Sequence, residues 1–153
     1  MISVLINGGE DGKMLARLLT QLVPAVAEGL VREAAVIGGD EPSRAVADDA
    51  GAALFAAGAF AEAVERARGP WIAGLPLTAL LRPDWIAQLG GHLALGDERP
   101  ARLVRRGGFG LGAGPEGWLV PKRLAATSAV AVEHDLQRLA RRGGRALRVL
   151  DRR

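Results

Sequence analysis

The chain has no cysteine, only two histidines, and aromatic side chains at 4% of its 153 positions. Without a thiol there is no disulfide framework, no Cys-ligated zinc or iron–sulfur centre and no thiol nucleophile. The two histidines, His92 and His134, have no third ligand at metal spacing, so a surface or helix-cap role is expected for each. Long apolar runs are missing as well. The longest uncharged stretch, Gly69 to Leu81, contains two prolines and falls well short of the roughly 20 apolar residues that a membrane span requires. No basic segment followed by an apolar run opens the chain, which predicts a cytoplasmic protein.

What is present suffices for one folded core. Apolar residues make up 49% and charged residues 24%, with a mean hydropathy of +0.14, a balance that predicts a globular chain and a single domain over 1–153. The net charge of +3 conceals an asymmetry. Residues 1–98 carry 7 Lys/Arg against 13 Asp/Glu, whereas 99–153 carry 13 against 4. Arginine dominates the basic part, including Arg105-Arg106, Arg141-Arg142 and Arg152-Arg153, and its planar fork suits phosphate. One reading is an anionic partner, such as an anionic membrane surface met through the C-terminal arginines, with a membrane-peripheral location. The other is an arginine-rich composition spread over solvated helix faces. Nucleic acid ranks low as a partner, because this part offers only Phe109 and Trp118 for stacking.

Patterning predicts alternating strands and helices. Ile2–Ile6 reads as a buried strand stopped by Asn7-Gly8-Gly9. Met14, Leu15, Leu18, Leu19, Leu22 and Val23 recur at helical spacing, and Pro24 limits that helix. Further strands are expected at Ala34–Ile37, Ala52–Phe55 and Trp71–Leu75. Helical segments fall within Asp40–Asp49, Ala59–Arg68 and Asp84–Leu93, the last burying Trp85, Ile86, Leu89 and Leu93. Such alternation implies an α/β fold, a mainly parallel sheet with helices on both faces. Beyond Gly96 the rhythm is irregular: an edge strand at Arg102–Arg106, a glycine-rich loop at Gly107–Gly117, a helix at Glu133–Arg142 and a last strand at Arg145–Leu150.

Ligands of open α/β sheets sit beyond the carboxyl ends of the strands, which directs attention to Asn7–Gly12, Gly38–Ser43 and Pro76–Leu81. Glu10 and Asp11 either cap the following helix or face a ligand. Gly38-Gly39-Asp40-Glu41 either positions a carboxylate against a ribose or base, or is a turn with Asp40 leading into a helix. Pro76-Leu77-Thr78 offers one hydroxyl and no metal ligand. Gly107–Gly112 has the glycines of a phosphate loop without its strand–helix setting. Glu133-His134-Asp135 opens a helix with two carboxylates, suited either to a general base or to the helix dipole.

Taken in order, these segments resemble the small bacterial family-two glycosyltransferases of GT-A, Rossmann-like fold. Ile2–Ile6, Leu15-Ala16-Arg17 through Leu22-Val23-Pro24, and Glu28–Glu33 resemble that family's first βαβ unit. Asp48–Ala52 resembles the turn before the third strand. Arg68-Gly69, Trp71-Ile72, Leu75 and Leu81–Trp85 resemble the strand, metal loop and following helix, and Gly114–Val120 and Glu133–Leu136 with Arg138-Leu139 the acceptor-side segment and the acidic helix. The resemblance implies a nucleotide-binding half over 1–98 and an acceptor-side half over 99–153. It further implies a nucleotide-sugar donor, a hydroxyl acceptor, Glu133 or Asp135 as catalytic base, and Glu10, Asp11, Gly38, Asp40 and Glu116 toward the donor. It departs from the family at three places. The residues after the first strand differ at Asn7 and Glu10, the nucleotide-holding aspartate falls on Gly38 with Asp40 nearby, and the metal-binding acidic motif falls on Pro76-Leu77-Thr78. No metal ligand is therefore assigned, and arginines of the basic half stand as the alternative counter-charge for a diphosphate.

Overall fold

A computed structural model describes residues 1–105, 116–127 and 133–151. The glycine-rich segment Gly107–Gly112, with Phe109, Gly114-Pro115, Arg106 and Arg152-Arg153, lies outside the described residues. The elements in chain order are β1 (Ile2–Asn7), α1 (Gly12–Ala27), β2 (Val31–Ile37), α2 (Glu41–Asp49), β3 (Ala53–Phe55), α3 (Phe60–Arg66) and β4 (Trp71–Leu75). They continue with α4 (Trp85–Ala94), β5 (Ala101–Arg105), β6 (Gly117–Pro121), α5 (Lys122–Thr127), α6 (Glu133–Arg142) and β7 (Arg145–Leu150).

The strands form one seven-stranded sheet in the order β3-β2-β1-β4-β6-β5-β7. All neighbours are parallel except β6, which runs antiparallel to both β4 and β5. Because side chains alternate across a strand, Ile2, Val4 and Ile6 of β1 face one layer and Leu5 the other. The first layer packs Leu15, Leu18 and Leu22 of α1 and Trp85 and Leu89 of α4 against the sheet. The second sets Phe60 and Val64 of α3 and Leu136 and Ala140 of α6 against Leu5, Ile72, Trp118 and Val120. Leu15 and Leu18 are wholly buried, so truncating either to alanine removes contacts worth about 2–5 kcal/mol.

Several expectations need correction. Pro24 does not limit α1, which continues to Ala27. A proline withdraws its own N–H from the helix, but Thr20 and Pro24 are both exposed, so the freed carbonyl of Thr20 lies on the watered side. Val23 belongs to that side too, at 61% exposure. The second strand starts earlier, at Val31, taking in polar Arg32 and Glu33. Ala101–Arg105 is no edge strand, since β6 and β7 flank it. The irregular part beyond Gly96 supplies three strands of the sheet. In α4, Ile86 and Leu93 are only partly buried and His92 is buried instead.

Two polar groups stabilise the end of the sheet where the parallel strands begin. The Ser3 hydroxyl, buried on β1, donates to Glu33 Oε1 (2.7 Å) and accepts from the backbone N–H of Gly69 (2.8 Å). Glu33 also accepts from the backbone and guanidinium of Arg68, both at 2.6 Å. Burial alone would raise the Glu33 carboxyl, but these donors outweigh it and hold the carboxyl below its ordinary range.

His92 is 3% exposed and sits edge-on to Trp71 at 5.6 Å. Its Nε2 lies 2.9 Å from the carbonyl of Arg99, the arrangement of a neutral ring donating there, while Nδ1 has no partner among the described residues. Burial, helped by Arg145, lowers its pKa below 6.5 against the opposing effects of the Arg99 carbonyl and Asp97. The unfolded chain then binds the proton more tightly, so the neutral ring's contribution to stability is complete above the unfolded value of 6.5 and is lost as pH falls below it. Urea denaturation between pH 7.5 and 5.5 should show decreasing stability, and His92→Gln should flatten that profile.

Candidate functional site

The carboxyl ends of β1, β2 and β4 meet where chain order changes direction in the sheet, since β2 and β4 lie on opposite sides of β1. Open α/β sheets bind ligands at such a switch point. The loops after β1 and β2 touch backbone to backbone: Asp40 N–H donates to Gly9 O and Gly8 N–H to Ile37 O, each at 3.0 Å. A Cβ on Gly8 would come within 2.8 Å of Gly39 Cα, so glycine is what allows this approach.

Two of the candidate acids here are helix caps. Asp11 Oδ1 accepts from Met14 N–H (3.0 Å) at the start of α1, and Asp40 Oδ1 from Ser43 N–H (2.9 Å) at the start of α2. The Ser43 side chain and backbone N–H keep the Asp40 carboxyl below the usual aspartate range. Gly38 is buried, with φ of 68°, and its carbonyl accepts from the Arg44 guanidinium (3.4 Å), which also reaches Phe55 O (3.0 Å). Glu10 lies exposed in the loop between β1 and α1.

Glu133 is brought to the same end from far along the chain. One of its carboxylate oxygens accepts from the Asn7 side-chain amide, and the other from the Trp118 indole N–H at 3.4 Å. Trp118 is 1% exposed. Its ring lies over Gly74, opposite it in the β4–β6 register, where a Cβ would overlap Cε2, Cζ2 and Nε1 of the indole. Phe60 of α3 closes the other side, edge-on at 6.1 Å. The acid that opens α6 is thus aimed at the end of β1 by a rigid aromatic lever. Glu116, just before β6, pairs with Arg102 of β5 at 3.7 Å. Asp135 pairs with Arg138 along α6 at 3.5 Å and is less directly engaged with the strand ends.

The segment after β4 has another use. Leu77 covers Gly9, with Cδ2 only 2.7 Å from where a Cβ there would stand. Gln21 of α1 then fastens the loop, accepting from Leu81 N–H (2.7 Å) and donating to Ala79 O (3.4 Å). Arg82 N–H donates to Val149 O and Asp151 N–H to Leu80 O, which ties the same segment to β7. Neither Pro76 nor Leu77 supplies an oxygen ligand from its side chain, and no group of three His, Asp or Glu suited to a metal occurs among the described residues. A hard divalent cation needs several such oxygens, so the residues after β4 do not fit one.

Sequence reasoning missed the roles of Gln21, Asn7 and Trp118. A signal for the last was available: a lone glycine inside the apolar strand Trp71–Leu75 marks close approach by something large. The exposed arginines Arg141 and Arg142 end α6, away from these loops, and Arg148 lies on β7. No helix among the described residues is long and apolar enough to cross a membrane.

No protein-family model and no curated protein matches the sequence. Solved structures do match by shape. Mannosyl-3-phosphoglycerate synthase from Rubrobacter xylanophilus superposes over 81% of this chain and 54% of its own, at 13% identity and a TM-score of 0.64. Glucosyl-3-phosphoglycerate synthase from Mycobacterium tuberculosis, in complex with Mn2+, UDP-glucose and phosphoglyceric acid, covers 81% of this chain and 57% of its own, at 18% identity and a TM-score of 0.62. The fold is GT-A-like. The chain spans somewhat over half the length of these structures, and at such identity the likeness concerns architecture alone.

Two substitutions probe the supports of this end of the GT-A-like sheet. Gly74→Ala should displace Trp118 and cost about 1–3 kcal/mol or more, read by urea denaturation together with a change in tryptophan fluorescence. Gln21→Ala strands the Leu81 N–H and should cost about 1–3 kcal/mol in the same denaturation assay.

Proposed function

We propose that this chain transfers a sugar from a nucleotide-sugar donor to an acceptor hydroxyl at the carboxyl ends of β1 and β4, with Glu133 as general base. The observation that carries the reading is the fixed position of Glu133, oriented through Asn7 and Trp118 at the switch point of a GT-A-like sheet. In the step, the acceptor oxygen attacks the anomeric carbon and the bond from that carbon to the diphosphate oxygen breaks. Its electron pair leaves with the nucleoside diphosphate, and the acceptor proton passes to the Glu133 carboxylate. Such a base contributes typically 10²–10⁴-fold, and positioning of the two substrates adds to it. On this reading Asp40, Gly38, Glu10, Asp11 and Glu116 border the donor, and Asp135 is the alternative base beside Glu133.

The similar glucosyl-3-phosphoglycerate synthase is held with UDP-glucose and phosphoglyceric acid, which makes these the first donor and acceptor to try. Release of UDP from UDP-glucose, with and without 3-phosphoglycerate, measures the transfer. Glu133→Gln keeps the shape of the side chain but cannot take the proton, and offers an acceptor oxygen to only one of Asn7 and Trp118; it should lower kcat by about 10²-fold or more.

A second reading is a catalytically silent relative that serves as a partner-binding scaffold. Pro76-Leu77-Thr78 and Gly38 at the donor-side positions favour it. Thermal melts with UDP and GDP separate the two readings: stabilisation by nucleotide supports transfer, whereas no shift together with no UDP release supports the scaffold.

A further inference from the structure

We infer that the strand-end crevice between β1 and β4 has no divalent cation of its own, and that a nucleoside diphosphate taken up there binds without one. The inference rests on the transfer reading for its ligand, but the argument about the cation stands on the side chains. A cation bridging a diphosphate at this place would need protein oxygens at the end of β4. That position holds Pro76 and Leu77, which have no side-chain oxygen, and Thr78, whose buried hydroxyl has no partner among the described residues and is the one side-chain oxygen there; the Leu77 side chain fills the space over Gly9. Residues 79–82, directly after these three, are held by Gln21 of α1, by Val149 of β7 and by Asp151 just past it, which limits how far the loop can turn a different face to the crevice.

The neighbouring carboxylates each already have a structural partner, which leaves one oxygen free on each of Asp11 and Asp40. Asp11 and Asp40 each accept from a helix N-terminus. Glu133 accepts from Asn7 and Trp118, Glu116 faces Arg102, and Asp135 faces Arg138. Glu10 remains as an exposed loop acid, and a single carboxylate with no bound phosphate beside it leaves most of an octahedral shell to water, which makes a weak site for free magnesium or manganese. Residues 106–115, 128–132 and 152–153, which lie outside the described residues, contain no Asp, Glu, His or Cys in their sequence.

The loop that would have carried the cation has become a fastener between α1 and β7. The charge of a bound diphosphate then has to be met by the protein's own cationic side chains and backbone N–H groups. Among the cations carried by elements that reach this end, Arg105 closes β5, whereas Arg44 donates to the Gly38 and Phe55 carbonyls and Arg102 pairs with Glu116, so a diphosphate would have to draw these two from their partners.

Two measurements on the unmodified chain test this. MnCl2 alone is titrated into the protein while free Mn2+ is followed by its electron paramagnetic resonance signal. UDP is titrated calorimetrically, once in EDTA and once in Mn2+. Expected are no protein-bound Mn2+ up to about millimolar concentration and UDP dissociation constants equal within about twofold in the two buffers. Mn2+ bound by the protein alone, or UDP binding tightened tenfold or more by Mn2+, overturns the inference. Absence of UDP heat in both buffers overturns the uptake of this nucleoside diphosphate and, with it, transfer from a UDP-sugar, whereas UDP heat in Mn2+ alone overturns the cation-free crevice and leaves the transfer reading standing.

Discussion

The packing of Trp118 into the hole left by Gly74 is the constraint on which the rest of this end of the molecule depends. It fixes the register of the antiparallel strand β6 against the parallel half of the sheet, presents a ring edge to Phe60 of α3, and aims an indole N–H at the first residue of α6. A large buried side chain in so tight a socket has its indole N–H fixed in direction, and it meets Glu133 across a long 3.4 Å. Asn7 then receives Glu133 from the other side. Three elements distant in sequence are thereby joined at one carboxylate, and none of the contacts asks for an unusual residue beyond the glycine.

The parts around the switch point have been built to different ends. At β6 and α6, aromatic packing and hydrogen bonds orient an acid toward the strand ends. In the loops after β1 and β2, Asp11 and Asp40 serve as caps, and the loop after β4 serves as a connection. Capping contributes typically about 1 kcal/mol per helix, so Asp11 and Asp40 have a structural reason to be where they are whatever else they do. A carboxylate accepting from a backbone N–H still has a second oxygen, and it is this spare capacity in Asp40 that keeps it a candidate on the donor side.

Much of the parallel half was legible in the sequence because its signals are local. Ile2–Ile6 and Trp71–Leu75 are short apolar runs ended by turn residues, and Leu15, Leu18 and Leu22 mark one helical face. Caps at Asp11 and Asp40 follow the ordinary rule for a short polar side chain ahead of a helix. What was not legible depends on partners far along the chain. Nothing in Gly117–Pro121 identifies it as an interior strand until Gly74 and Leu103 are seen beside it. Pro24 reads as a stop locally, yet the buried residues on either side, Leu22 and Ala25, keep the helix going because their burial outweighs one lost hydrogen bond. His92 gives no periodic signal at all, being a polar type on an apolar face. For the site, the acid pair at 133 and 135 was visible as a cluster, but only the Asn7 and Trp118 contacts distinguish Glu133 from its neighbour.

The fastening of residues 80–82 to the last strand also bears on how the molecule behaves at high concentration. A sheet that ends in an open strand offers unpaired N–H and C=O groups to any other chain that passes. At one margin β3 is only three residues long, too short to template much. At the other, the hydrogen bonds from Arg82 and to Leu80, with the bridge between Leu81 and Leu150, cover the far end of β7, and Arg145 and Arg148 charge the remainder. Both margins are thus blunted, and the same short segment that follows β4 guards the sheet against growing by accretion.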